Sequence, residues 1–314
     1  MQTDSPTQCS NLHNVLCERY GSSNMLRKHA KSFYFASFFL SWASAIRARA
    51  LYQVCRIIDD IADGNNQSSV PTPSVDLSGI HTGRIHTTKH LNVSKEDAAE
   101  LFGSLVSEND LAASGADCSA KSELADIQEW ISSCGDRCDI TQHLSVPKYT
   151  LSHLLSAIKS DLNHRQPTTT HELLEYCYGA AGTVGLMMCD VMRIETKAAR
   201  VHAMHLGMAM QLTNIARDVW HDAMLNRVYL PKDLVGELHV GDILHTNTQS
   251  LATIRFGVEK LLLLADEYYQ SGYAGMRYIP RRDRLAIYIA AKLYHYIGAR
   301  IRDGQYLQPG VKAS

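Results

Sequence analysis

Two aspartate pairs are the residues of this chain best suited to chemistry. The first lies in CRIIDDIAD and places Asp59 and Asp63 four residues apart, and the second places Asp218 and Asp222 at the same spacing. Residues four apart on an α-helix share one face, with Cβ atoms about 5–6 Å apart. Neither pair has a lysine at i+4 to neutralise it, so each face concentrates negative charge and is expected to attract a hard divalent cation.

Magnesium is the cation that such faces suit. Mg²⁺ keeps several waters, takes one or two carboxylates and fills its remaining positions with phosphate oxygens. Arg56 lies three residues before Asp59, and Arg217 directly precedes Asp218. Guanidinium groups match phosphate oxygens. Two such faces across one cavity would hold diphosphate groups through metal bridges.

A polar stripe extends the second pair along its helix. Asn214 and Gln211 lie four and seven residues before Asp218, so they share the face of Asp218 and Asp222. The neighbouring positions are apolar: Leu212, Ile215, Ala216 and Val219. The stripe is therefore expected to face a cavity inside a helical bundle. A solvated helix face is the better interpretation of one DxxxD motif, but two copies beside arginines in apolar sequence favour a metal site.

The composition is that of an ordinary globular protein. Of 314 residues, 45% are hydrophobic and 20% are charged, and the net charge of −1 gives no electrostatic reason to expect nucleic acid or a strongly anionic membrane surface as a partner. The first residues lack a secretory signal pattern, and the apolar run 33–46 is too short to span a bilayer. The eight cysteines form no CxxC pair. We therefore expect a cytoplasmic chain with reduced thiols.

Helical periodicity dominates the chain, and strand patterns are scarce. The expected helices cover 24–63 (as two helices), 96–108, 121–133, 147–163, 169–192, 196–224, 249–272 and 281–302. Residues 64–95 are rich in Gly, Pro, Ser, Asn and Thr, which predicts a long mobile loop. Because the first aspartate pair needs the second, we predict one all-α domain over 1–314 with this loop inserted.

Three glycines lie within one expected helix, in YCYGAAGTVGLMM: Gly179, Gly182 and Gly185. Glycine inside a helix costs about 1 kcal/mol relative to alanine. Close packing of two helices would offset that cost, and so would room for a bulky apolar ligand. The sequence leaves both explanations open.

Five segments resemble the squalene/phytoene synthase family in order and spacing. They are KHAKSFYFAS, LYQVCRIIDDIAD, YCYGAAGTVGLMM, QLTNIARDVWHDAMLNRVYLP and DEYYQSGYAGMRYIPRRDRLAIYIAAKLYHYIGARIR. The resemblance covers about residues 25–63 and 147–306, and its GTVGLMM and RVYLP details are most similar to phytoene synthases. It implies a single-domain, all-α isoprenoid-synthase bundle with a central apolar cavity. It also implies dependence on Mg²⁺, as two or three ions bound with diphosphate, and no requirement for NADPH.

The resemblance also assigns roles to particular residues. The implied metal ligands are Asp59, Asp63, Asn214, Asp218 and Asp222. Arg56 and Arg217 join the four aspartates as the implied catalytic set. The implied substrate-binding residues are His29, Lys31, Ser32, Tyr52, Tyr176, Gln211, Asn214 and Tyr294.

The implied reaction joins two prenyl diphosphates head to head. One chain loses its diphosphate, the double bond of the second attacks the allylic cation, and a cyclopropyl diphosphate forms. A second ionisation, a rearrangement and proton loss then give the hydrocarbon. The expected substrates are two geranylgeranyl diphosphates, giving phytoene in carotenoid biosynthesis. Because such a product is apolar, its release could involve a peripheral contact with a membrane. The sequence leaves this contact and the oligomeric state open.

Two alternatives remain at this point. Farnesyl diphosphate would give dehydrosqualene without a reductant or squalene with NADPH, by the same chemistry. A non-catalytic homologue, acting as an assembly or scaffold protein, is an alternative of another class. Such a homologue is expected to have lost aspartates or arginines of the two clusters, and here all are present.

Overall fold

The structure, a computed structural model, describes residues 40–62, 118–245 and 247–304, which are mostly helical. Its first elements are helices α1 (Trp42–Ala62) and α2 (Cys118–Ser133), strands β1 (Arg137–Thr141) and β2 (Leu144–Pro147), and helix α3 (Lys148–Leu162). Helices α4 (Thr170–Cys177) and α5 (Thr183–Met192) are joined by a π-helical turn, Tyr178–Gly182. The remaining elements are α6 (Lys197–Met224), α7 (Lys232–Val235), α8 (Val240–Leu244), α9 (Thr248–Gly275), a 3₁₀ turn (Met276–Tyr278) and α10 (Arg281–Arg302).

Local chemistry explains where these helices begin and end. Pro147 and Pro280 directly precede α3 and α10, where a residue without an N–H costs the helix nothing. The side chain of Thr169 accepts a hydrogen bond from Glu172 N at the start of α4. Arg193 takes the left-handed conformation, with φ 57°, and ends α5. The expected helices at 121–133, 147–163, 169–192, 196–224, 249–272 and 281–302 are confirmed, with small shifts at their ends.

The β-hairpin of β1 and β2 was not predicted. Its strands pair antiparallel, with Cys138 opposite Val146. Each strand alternates buried and more exposed side chains, and the buried ones include Cys138, Ile140, Leu144 and Val146. The strands are too short for this alternation to be recognised in the sequence. The predicted helix 96–108 and the predicted mobile loop 64–95 lie outside the described residues.

Two hydrophobic cores meet in the bundle. One is built mainly by α6, α9 and α10, and the other by α1, α2, the hairpin, α3 and α5. Ile279 and Ile287 pack against both cores, and Asp283 Oδ1 accepts from Ser41 N at 2.6 Å, joining the starts of α1 and α10. Asp59 therefore lies on a helix of one core, and Asp218 and Asp222 lie on a helix of the other. Among the helices described, none combines the length and apolar character needed to cross a membrane.

Candidate active site

The first aspartate cluster lies at the C-terminal end of α1 and is organised by Arg56. Nη1 of Arg56 lies 2.6 Å from Asp59 Oδ2, and Nη2 lies 2.6 Å from Asp60 Oδ1. The two carboxylates lie three and four residues after Arg56, so a single helical turn builds the cluster. Asp60, which was not among the predicted site residues, is the second partner of Arg56.

Four predicted site residues lie outside the described part of the chain: His29, Lys31, Ser32 and Asp63. Their roles remain predictions from the sequence. Asp59 lies three residues after Arg56 on α1, and these two residues define the helix face on which the first cluster is built.

The second cluster, on α6, has the same design. The guanidinium of Arg217 contacts both carboxylate oxygens of Asp218, with Nε 2.8 Å from Oδ1 and Nη2 in a short contact with Oδ2. Tyr294 of α10 is hydrogen-bonded to the same guanidinium, and burial raises the pKa of this phenol above its usual range. Each cluster thus holds an arginine beside a carboxylate, so part of its negative charge is compensated within the cluster.

Two tyrosines connect the clusters. Tyr52 lies one turn before Arg56 on α1, and burial raises its pKa to about 12. The Arg56 charge lowers that pKa, whereas Asp60, Asp59 and Tyr294 raise it, so Tyr52 is within electrostatic reach of Tyr294. Tyr294 is in turn hydrogen-bonded to Arg217. Tyr52 and Tyr294 therefore place the first cluster within electrostatic reach of the second.

Asn214 contributes an oxygen with unused binding capacity. Its Nδ2 lies 3.4 Å from Gln211 Oε1, a long hydrogen bond within the polar stripe. Its Oδ1 is buried and has no hydrogen-bond partner among the described residues. A buried, unsatisfied acceptor costs roughly 1–3 kcal/mol, so such an atom points to a missing partner. A cation or a water would supply that partner.

Asp222 is the acidic residue most strongly perturbed in the site. Its pKa is raised to about 8, first by burial and then by the charges of Asp218 and Asp161, while Arg227 and Arg217 act in the opposite direction. A buried carboxyl surrounded by other carboxylates is held in its neutral form unless a cation compensates the charge. Asp222 therefore gains more from a bound cation than an exposed aspartate would.

These donors fit Mg²⁺. Carboxylate and amide oxygens are its preferred protein ligands, and the unpartnered oxygen of Asn214 lies one turn before Asp218 on the same face. Within the described residues, no three His, Cys, Asp or Glu side chains form a ready-made metal cage. Mg²⁺ does not need one, since it takes one or two carboxylates and completes its shell with water and phosphate.

Tyr176 lies in a second polar network at the Asp222 end of the stripe. Its hydroxyl donates to Asp161 Oδ2 at 2.9 Å, and the Tyr229 hydroxyl donates to Asp161 Oδ1 at 2.7 Å. Asp161 and Tyr229 were not predicted as site residues. The signal for Tyr229 was available, because it lies in RVYLP, but a lone aspartate at the end of α3 carries no recognisable spacing.

A small cavity lies where this network meets the second cluster. Its lining comes from α6, from the segment after it and from α8: Ile215, Val219, Asp222, Arg227, Val228, Tyr229, Leu230 and Ile243. One carboxyl and one phenol thus face a space with mainly aliphatic walls. Apolar walls around a few oriented polar groups are typical of sites that bind apolar ligands with a charged end.

Known proteins share these sequence features. A phytoene synthase from Cereibacter sphaeroides is 30% identical over 288 residues, covering 90% of this chain and 71% of that protein. A phytoene synthase from Pseudescherichia vulneris is 34% identical over 160 residues, covering 51% of this chain and 52% of that protein. A 15-cis-phytoene synthase from Paracoccus sp. is 37% identical, covering 48% of this chain and 49% of that protein. The chain thus spans about half the length of several curated relatives that it matches.

Solved structures share the fold. The chain superposes on a crystal structure of a dehydrosqualene synthase with a TM-score of 0.60 at 23% identity, covering 96% of this chain and 91% of that one. A squalene synthase from Alicyclobacillus acidocaldarius gives a TM-score of 0.58 at 17% identity, with 94% of each chain covered. These likenesses confirm the all-α isoprenoid-synthase fold. Residues 26–314 match the sequence profile of squalene/phytoene synthase, and the chain belongs to this family.

Proposed function

We propose that this chain is a prenyltransferase that condenses two geranylgeranyl diphosphates head to head, giving phytoene. The observation that carries the proposal is the pair of aspartate–arginine clusters on α1 and α6, linked through Tyr52 and Tyr294. Each substrate brings one diphosphate, and each cluster provides carboxylates for a cation and a guanidinium for phosphate oxygens. Relatives named phytoene synthase favour the C20 substrate over the C15 alternative.

Bound Mg²⁺ would act as a Lewis acid on the diphosphate leaving group. The residues that would hold the Mg²⁺ ions are Asp59, Asp63, Asn214, Asp218 and Asp222. The arginines have a separate part. Arg56 and Arg217 each pair with a carboxylate of their own cluster. With those carboxylates engaged by a cation, the two guanidiniums would be available to bind diphosphate oxygens.

The carbon chemistry needs shelter from water rather than a protein nucleophile. The C1–O bond of one substrate breaks with its electron pair leaving on diphosphate, and the double bond of the second attacks C1. Loss of a proton closes a cyclopropane, and a second ionisation, rearrangement and proton loss complete the hydrocarbon. The aliphatic walls beside Asp222 and the neutral phenols of Tyr52 and Tyr294 provide surroundings that do not quench the cation.

A product assay tests this proposal. Purified protein is incubated with geranylgeranyl or farnesyl diphosphate, each with and without NADPH and with Mg²⁺ or EDTA. We expect phytoene with geranylgeranyl diphosphate and Mg²⁺, no effect of NADPH, and no product in EDTA. A C30 product that dominates at equal concentrations would favour the farnesyl alternative, and absence of any product would favour a non-catalytic homologue.

The family chemistry also gives a reason for membrane contact, and the outer face of α10 supports it. Leu285, Tyr288, Leu293 and Tyr296 on this helix are 51%, 43%, 37% and 57% exposed. Basic side chains lie among them: Arg281, Arg282 and Lys292 are exposed on the same helix. Its one acidic residue, Asp283, is buried. Exposed aromatic and aliphatic side chains interleaved with basic groups suit the surface of an anionic bilayer.

Vesicle sedimentation tests the membrane contact. We expect the protein to bind phosphatidylglycerol vesicles more tightly than phosphatidylcholine vesicles, and less tightly at high salt. The double variant Tyr288→Ser/Tyr296→Ser should weaken binding, whereas Phe256→Ser, an exposed aromatic on α9, should not. Equal binding by both variants would contradict the assignment to α10.

A further inference from the structure

Asp161 is a nearly buried carboxylate that binds two tyrosine hydroxyls at once. It lies in the last turn of α3, its side chain is 12% exposed, and its two oxygens accept separately from Tyr229 and Tyr176 at 2.7 and 2.9 Å. The hydroxyl oxygens of the two tyrosines lie 3.2 Å apart, and their rings stack with centroids 5.0 Å apart. Each phenol has one proton, so both protons can be directed to this carboxylate.

The surroundings hold this arrangement rigidly. The His164 ring meets Tyr229 edge-on, with centroids 4.6 Å apart. Val228 N donates to His164 Nε2 at 2.9 Å, which fixes the segment carrying Tyr229 against the end of α3. Asp161, Tyr176 and Tyr229 come from three separate segments, so the cluster exists only in the folded chain.

The cluster lies beside the proposed chemistry. Tyr229 lines the small cavity together with Asp222, and Tyr176 stacks on Tyr229 from α4. A phenol that donates its proton to a carboxylate keeps its lone pairs on the remaining sides of the oxygen. It also becomes a stronger partner for positive charge, because the bond to the carboxylate polarises the hydroxyl.

We propose that Asp161 is a positioning residue, which accepts hydrogen bonds from Tyr176 and Tyr229 and so presents both phenol oxygens to the carbocation formed in the cavity. This proposal rests on the proposed function, since it assigns Asp161 a part in the same reaction. Asp161 acts through the tyrosines and makes no bond to substrate. The orientation of two preformed dipoles is the kind of electrostatic stabilisation that requires no rearrangement during reaction.

The variant Asp161→Asn tests the proposal, because it keeps the shape of the side chain but replaces one acceptor oxygen by an NH₂ donor. Only one of its two polar atoms can then accept a hydrogen bond from a phenol. Asp303→Asn, an exposed aspartate after α10, is the matched control. We expect Asp161→Asn to lower kcat by about tenfold or more, with KM changed by less than about twofold. The control should match the parent chain in both constants.

A mutant cycle separates positioning from packing. If Asp161 acts through the two tyrosines, Asp161→Asn should lower kcat little further in a Tyr176→Phe/Tyr229→Phe background. A role in stability alone would lower the melting temperature and reduce activity equally in both backgrounds. An equal loss of kcat in the two backgrounds therefore overturns the proposal, as does full activity of Asp161→Asn.

A spectroscopic arm keeps the test independent of turnover. In protein with ¹³Cζ-labelled tyrosine, the resonances of Tyr176 and Tyr229 are assigned from their Phe variants. Both should move in Asp161→Asn and stay in place in Asp303→Asn; unchanged resonances overturn the proposal. If the parent chain forms no prenyl product, the proposed function fails while this arm still decides whether Asp161 orients both phenols. If Asp161→Asn does not fold, Tyr176→Phe must shift the Tyr229 resonance, and an unshifted resonance overturns the proposal.

Discussion

Arg56 and Arg217 each neutralise carboxylates that we propose as ligands of a cation. Arg56 bridges Asp59 and Asp60, and Arg217 forks onto Asp218. The guanidinium of Arg56 lies between two carboxylates and offsets their mutual repulsion. In the proposed site the carboxylates would hold Mg²⁺ and the guanidiniums would bind diphosphate oxygens, so both partners of each pair would gain a new counter-charge.

The first prediction concerns the aspartates. We expect Asp59→Ala, Asp63→Ala, Asp218→Ala and Asp222→Ala each to abolish detectable turnover without unfolding the protein, because each removes a proposed metal ligand. Product formation and thermal melting of each variant are the measurements. Near-normal activity in one variant from each pair would contradict the two-cluster model of the site.

Asn214 gives a prediction that separates metal binding from stability. Its Oδ1 has no partner among the described residues, so Asn214→Leu should leave the melting temperature in EDTA unchanged or raise it. The same change should raise the Mg²⁺ concentration needed for half-maximal activity by about tenfold, about 1.4 kcal/mol of lost binding. Gln211→Leu, one turn away on the stripe, is the comparison variant. An unaltered Mg²⁺ requirement in Asn214→Leu would remove this residue from the metal site.

At the scale of the helices, close backbone contacts determine how α6 meets the α4–α5 segment. A Cβ on Gly185 would lie 2.2 Å from Ala203 O, and a Cβ on Gly207 would lie 2.2 Å from Ala181 O. In both cases the added Cβ would meet a backbone oxygen, so no neighbouring side chain can rotate away to relieve the overlap. Of the two explanations that the sequence left open for the glycine series, close helix packing is the one that applies to Gly185.

The element-scale prediction follows from that contact. Gly185→Ala should destabilise the fold by about 1–3 kcal/mol, since overpacking outweighs the alanine preference of a helix. The expected fall in melting temperature is roughly 2–4 °C per kcal/mol for a protein of this size class. Gly241→Ala is the control, because a Cβ there meets nothing within 4 Å. Equal melting temperatures for the two variants would show that α5 and α6 adjust more easily than the contact suggests.

At the scale of the whole molecule, the long segment between α1 and α2 gives a prediction that rests on the sequence. The composition of residues 64–95 predicts a surface loop, and loop closure entropy grows slowly with length. The chemistry proposed for the clusters on α1 and α6 does not require it.

Replacing residues 66–94 by a short Gly/Ser linker should therefore leave kcat within about threefold and the melting temperature nearly unchanged. Steady-state kinetics, circular dichroism and vesicle binding on the shortened chain are the measurements. A folded but inactive protein would identify the segment as part of the site. Loss of vesicle binding alone would move the membrane contact from α10 to this segment.

The sequence by itself determined most of the described helices, and with them the positions of the polar stripe and of Asp59, Asp218 and Asp222 on helix faces. These properties depend on neighbours within one or two helical turns, so spacing and helix-breaking residues such as Pro280 are sufficient to predict them. The roles of Tyr52 and Tyr294 remain predictions from the family resemblance. The short hairpin escaped because its alternation spans too few residues to be distinguished from chance.

Only the tertiary structure decided which groups meet. Tyr176 was predicted to bind substrate, but its partners Asp161 and Tyr229 lie 15 and 53 residues away in the chain. The contact of Gly185 with Ala203 and the reach of Tyr52 to Tyr294 likewise join different helices. Such pairings depend on how helix faces pack against each other and on which buried polar atoms need hydrogen-bond partners. The spacing of residues within a single segment determines neither of these.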